Sequence, residues 1–159
     1  MTLRANAVMA TIFLLLAMTG CTTPAPAPSS AVCEGEGCNG KDPVEIHCDA
    51  DALSVTQKEG VYVKDGDLEA VLEIRKAKPS VCNQIFWARL TPAPNNKGGY
   101  ELTLELNGKR SDVQKSEPQN PEVPAWSTVF YAKKGDKLRA CVVSVETRHE
   151  TCTPVVEVV

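Results

Sequence analysis

Aromatic side chains make up only 5 % of this 159-residue sequence, and histidine occurs twice. With two tryptophans, three tyrosines and three phenylalanines, a core claims most of them, so an aromatic platform built from Trp87, Trp126, Tyr100, Phe130 and Tyr131 for a glycan or peptide is not the default expectation. His47 and His149 stand in no motif that pairs them with a serine or cysteine nucleophile, which sets a hydrolase triad aside. A basic surplus is also missing. Lysine and arginine number 17 against 20 acidic residues, for a net charge of −3, and that balance is not the footprint of a nucleic-acid binder. No glycine-rich phosphate loop precedes a helix, and no repeat or heptad pattern recurs. Beyond the N-terminal stretch, no apolar run is long enough to span a membrane.

What the sequence does contain is seven cysteines, one of them set apart. Residues 1–10 carry a single positive side chain, Arg4; residues 11–18 read TIFLLLAM; Thr19-Gly20 then leads into Cys21. This is the order of a bacterial lipoprotein signal, with Met18 in place of the more usual aliphatic residue. The apolar run is shorter than the roughly 20 residues a membrane span needs. The expected product therefore begins at Cys21, lipidated on sulfur and anchored to the outer side of the cell membrane by two or three acyl chains. Simple secretion is the alternative, and a retained anchor a weaker one. Residues 1–20 are read as the signal peptide and 21–32, rich in Pro and Ala, as an extended tether. Residues 33–159 are read as one disulfide-rich domain.

Period-two alternation is the main structural signal. Tyr100-Glu101-Leu102-Thr103-Leu104-Glu105-Leu106 places four apolar groups on one face of a strand. Asn107-Gly108 then predicts a tight hairpin and a returning strand over residues 109–114. Residues 61–64 and 68–75 flank Asp65-Gly66 as a second hairpin, with Leu68, Ala70, Leu72 and Ile74 on one face; a helix from residue 68 to 76 is the competing reading. Residues 85–90 place Phe86 and Trp87 on opposite faces, which suits a central strand. Pro118, Pro121 and Pro124 interrupt the chain as a long loop. Strands are expected again over 126–132, 137–145 and 153–159. The fold class is all-β: an antiparallel sandwich or small barrel of about eight strands, disulfide-stabilised.

Six cysteines admit many pairings. Cys141 and Cys152 flank a polar stretch, residues 146–150, and a hairpin there would bring them opposite each other. Cys33 and Cys38 enclose Glu-Gly-Glu-Gly, whose glycines permit a tight loop. That leaves Cys48–Cys82, which closes the longest loop and is expected to stabilise most. A zinc site of Cys33, Cys38, His47 and Cys48 has poor spacing. Asp42, Asp49 and Asp51 offer oxygens for calcium without a recognisable loop motif. Neither a metal nor a cofactor is expected.

The string Cys33-x4-Cys38-Asn39-Gly40-Lys41-Asp42-Pro43-x4-Cys48 resembles the start of the YjfA family of small exported bacterial proteins. Leu72-Glu73-Ile74-Arg75, Cys82, Trp87-Ala88-Arg89 and Arg139-Ala140-Cys141 continue the resemblance, which covers about residues 33 to 152. It implies a domain of unknown function, secreted or carried outside the membrane behind a helix-turn-helix that is absent here. The Pro-rich stretch over residues 113–124 departs from that pattern. Read physically, Gly40, Lys41, Asp42 and Pro43 form a turn in which Asp42 accepts backbone N–H groups. Trp87 is expected in the core, and Arg75 or Arg89 beside an aspartate of the turn. No catalytic residue emerges. The functional expectation is a binding or interaction module facing an envelope protein or a cell-wall ligand, with no nucleic acid. A cell-wall-active hydrolase or an inhibitor of one is the runner-up, and a passive structural envelope component the third reading.

Overall fold

The computed structural model describes residues 33–56, 60–116 and 123–159. Cys21, the signal, the tether, Pro118 and Pro121 lie outside these. The first strands are β1 (Leu53–Ser54), β2 (Val61–Asp65), β3 (Leu68–Lys76), β4 (Ile85–Pro92), β5 (Tyr100–Leu106) and β6 (Lys109–Arg110). There follow β7 (Gln114–Ser116), β8 (Ala125–Trp126), β9 (Phe130–Tyr131), β10 (Lys137–Ser144), β11 (Glu150–Cys152) and β12 (Val156–Glu157). Among the described residues the one helical element is a 3-10 turn over Gly35–Cys38.

All pairings are antiparallel, in two sheets of six strands each. The first runs β1-β3-β4-β8, with β2 also on β3 and β9 also on β4; the second runs β11-β10-β5-β6, with β12 also on β10 and β7 also on β5. This is the expected all-β class, as a sandwich and not a barrel. Strand β3 buries Leu68, Ala70, Leu72 and Ile74 and leaves the alternate residues half-exposed, so period two decides against the helix. Those side chains meet Leu102 and Leu104 of β5 and Leu138, Ala140 and Val142 of β10 in one apolar core. At the β5–β6 turn Leu106 pairs with Lys109, and Asn107 and Gly108 both take positive φ, 51° and 83°, as a type I′ turn requires.

Strands outnumber the expected eight because the expected strands at 109–114 and 126–132 are each split by one device, which also separates β12 from the additional β11, and because β1 is a further short strand. Residues 109–114 pair with β5 at Lys109–Arg110 and again from Gln114, with one extra residue between. There the Ser111 N–H donates to the Leu104 carbonyl at 2.7 Å, while the Ser111 hydroxyl accepts the Leu104 N–H at 2.9 Å. Ser127 does the same against Ala88 between β8 and β9, at 2.9 and 3.0 Å. Thr153 repeats it against Ala140 between β11 and β12, at 2.9 and 3.1 Å. Each is a bulge in which a side-chain hydroxyl takes the ladder position that a backbone carbonyl would fill.

Candidate functional site

Residues 33–52 cap the outer face of the first sheet. Beneath them lies a second buried cluster, distinct from the sandwich core, containing Cys33, Cys38, Cys48, Cys82, Ile85, Trp87 and Val129. The cap has no strand of its own, so its backbone groups find other partners. The Asp42 Oδ1 accepts the Val44 N–H at 2.7 Å and the Glu45 N–H at 3.3 Å, and the Pro43 carbonyl accepts the Cys48 N–H at 2.8 Å. Gly40 and Lys41 dock on the chain between β8 and β9: the Gly40 N–H donates to the Val129 carbonyl at 3.0 Å, and the Val129 N–H donates to the Lys41 carbonyl at 2.9 Å. The Ser127 bulge leaves the Val129 backbone outside the ladder with β4, so that both its groups can bond to the cap. Asn39 Oδ1 accepts the Tyr131 N–H at 2.6 Å. Lys133 donates to Glu36 at 3.1 Å, and that hydrogen bond holds the lysine pKa above its usual value.

Cysteine pairs brace the cap. Cys33–Cys38 and Cys48–Cys82 stand at disulfide distance, with Cα separations of 5.4 and 5.5 Å. Cys141 and Cys152 are direct cross-strand partners, 4.1 Å apart at Cα. With their sulfurs joined, Cys33, Cys38 and Cys48 offer no thiolates beside His47. Cys141, Glu150 and Cys152 are the one close group of potential metal ligands among the described residues, and two of its members are bonded to each other. Asp42, Asp49 and Asp51 do not gather: Asp42 is engaged by N–H donors and exposed Asp51 pairs with Lys78 at 3.4 Å.

Where the cap meets the sheet, a cleft of about 360 Å³ opens. Pro43, Val44, Asp49 and Ala52 line it from the cap, and Arg75, Trp87, Arg89 and Trp126 from the sheet. Strand parity assembles the sheet side. Because Ile74 and Phe86 point into the sandwich, their neighbours Arg75 and Trp87 point outward, and they are cross-strand partners. Arg89 follows on the same face, opposite Glu73 on one side and Trp126 on the other. Trp87 is 3 % exposed, sunk among the cystines. Trp126 is half-buried and donates its indole N–H to Asp42 Oδ2 at 2.9 Å.

The arginines differ. Arg75 donates to the Ala52 carbonyl and lies 3.7 Å from Glu73. Arg89 is half-buried and has no hydrogen bond or ion pair with any described residue. The aspartate of the turn, expected beside Arg75 or Arg89, instead accepts the Trp126 indole N–H, and neither arginine pairs with Asp42. Chemically, the cleft offers a planar fork of N–H donors beside indole, proline and valine walls, with one carboxylate, Asp49, on the cap side. Among the described residues no serine, histidine or thiol lines it.

Gly40, Lys41, Asp42, Pro43, Trp87 and Arg89 all belong to this cap and cleft, Gly40 and Lys41 through their backbones. Val44, Asp49 and Ala52 were not singled out as lining residues; strand parity could have indicated Arg75, Trp87 and Arg89, but nothing local marks the cap side. The five aromatics do not form one platform, since Tyr100 and Phe130 lie in the sandwich core. Among the described residues no helix is long and apolar enough to cross a membrane. Comparison with family models, with curated proteins and with solved structures returned no match.

Proposed function

We propose that this chain is an exported lipoprotein, lipidated at Cys21 and held at the outside of the cell membrane, and akin to the YjfA family. Residues 33–159 then act as a binding module for an envelope protein or a cell-wall ligand, without a cofactor. The observation that carries this reading is the convergence of Pro43, Trp87 and Arg89 on one cleft, with Asp42 holding the Trp126 indole at its wall, in which Arg89 has no partner among the described residues. A half-buried guanidinium keeps its five N–H donors available to water or to a ligand, and concave sites of this size with a few polar groups among apolar walls suit small recognition elements. The tether supports the same reading, because an extended Pro/Ala segment holds a domain clear of the membrane surface.

Two readouts test it. Palmitate fed to cells is expected to label the wild type and not Cys21→Ser; equal label in both removes the anchor. Incubated with purified peptidoglycan, the protein is expected to pellet without releasing soluble fragments. Release would favour a hydrolase, and neither pelleting nor release a passive envelope component.

A further inference from the structure

We propose that the cleft recognises the free C-terminal carboxylate of a short peptide, with Arg89 as the residue that receives it; this rests on the reading of the cleft as a binding site. Three observations select that chemistry. The first is charge. Glu73 stands opposite Arg89 in register, yet its ion pair is with Arg75, whose other contact is the Ala52 carbonyl. Arg75 and Glu73 therefore neutralise each other, and Arg89 is left as the cation of the cleft. A guanidinium matches a carboxylate by two parallel N–H···O bonds, a geometry a lysine cannot supply.

The second is Asp49, which lines the same cleft. Its carboxylate disfavours a multiply charged anion such as a phosphate and favours a ligand that brings N–H donors together with its own negative group. A peptide end has both: a terminal carboxylate and, one residue back, amide or ammonium hydrogens.

The third is the state of the aromatic rings. A sugar site needs an open ring face, but Trp87 is 3 % exposed and the Trp126 indole is tied to Asp42. What remains accessible is part of the half-buried Trp126 together with Pro43 and Val44, a wall suited to one apolar side chain. A volume of about 360 Å³ holds the last residue or two of a peptide and not a long segment.

Trp87 and Trp126 are the two tryptophans of the sequence, and both line the cleft, so tryptophan emission, excited selectively over the tyrosines, reports on this site. The intact protein with its disulfides formed is titrated with Ala-Ala-Leu, with its C-terminal amide, with isocaproate and with glucuronate. Ala-Ala-Leu is expected to shift the emission saturably, and the amide to bind about tenfold more weakly or worse. Isocaproate, which keeps the carboxylate and the alkyl group but has no peptide N–H, falls between. Arg89→Gln is expected to lose about tenfold or more for the acid, and Arg89→Lys to recover part of it as a point charge.

Equal binding of acid and amide overturns the proposal without recourse to any variant. So does undiminished binding by an Arg89→Gln protein that melts like the parent, or tighter binding of glucuronate than of the peptide. Pelleting with peptidoglycan beside a silent titration would keep the binding-module reading and remove this one. Saturable peptide binding without pelleting would keep carboxylate recognition and remove the wall as its context.

Discussion

Between the two sheets the buried residues are aliphatic and aromatic, with no cysteine among them, whereas beneath residues 33–52 four of the eight buried side chains are cysteines. The sandwich core is specified by strand parity: once β3, β5 and β10 alternate, their inward side chains have one place to go, and the ladders hold them there. The cap has no parity to exploit. It is held instead by Cys48–Cys82, by the Gly40–Val129–Lys41 exchange and by Asp42 on Trp126. Where periodic structure is lacking, covalent bridges and single hydrogen bonds supply the order, and the candidate binding cleft lies along the seam between the two regimes.

Breaking the longest bridge tests that contrast most strongly. Cys48→Ala with Cys82→Ala is expected to cost about 4 kcal/mol in the chain-entropy picture, measured by urea unfolding. Hydrogen exchange refines it: the amides of Gly40, Cys48 and Val129 lose protection, while those of β3 and β10 keep theirs. Uniform loss across both regions would show that the cap and sandwich unfold as one. Leu72→Ala, at a fully buried site of the sandwich, is expected to cost about 3 kcal/mol, and here protection falls everywhere together. Ser127→Ala strikes the seam. Its hydroxyl is buried and accepts the Ala88 N–H, so removal strands a donor at about 2 kcal/mol. The loss should reach Gly40 and Lys41 through Val129, and unchanged exchange at Gly40 would disconnect the bulge from the cap.

Strand parity and turn chemistry made much of the sandwich legible in advance. The alternation from Tyr100 to Leu106, the Asn107-Gly108 turn and the cross-strand placement of Cys141 and Cys152 depend on near neighbours, so local pattern suffices. The splits at Ser111 and Ser127 were not legible, because a hydroxyl that replaces a ladder carbonyl leaves the surrounding alternation looking like a continuous strand. The cleft was half legible. Its sheet residues follow from parity, but Asp42 and Trp126 are 84 positions apart, and nothing near either one names the other. The contact of Arg75 with the Ala52 carbonyl was hidden for the same reason: it is decided by how the cap folds back.

The three hydroxyl bulges also bear on how the two sheets meet neighbouring molecules. Strands β6 and β7 run along one edge of the second sheet, β11 and β12 along its other edge, and β8 and β9 along one edge of the first. The remaining edge is itself divided between β1 and β2. No border therefore presents a long, regular row of free amide and carbonyl groups to a neighbouring molecule, and such rows are the templates on which sheet proteins join into fibrils. A membrane-tethered protein is crowded against copies of itself in two dimensions. For this chain, if tethered as proposed, interrupted borders would be a safeguard against polymerisation, written into three of the four edges as one serine or threonine each.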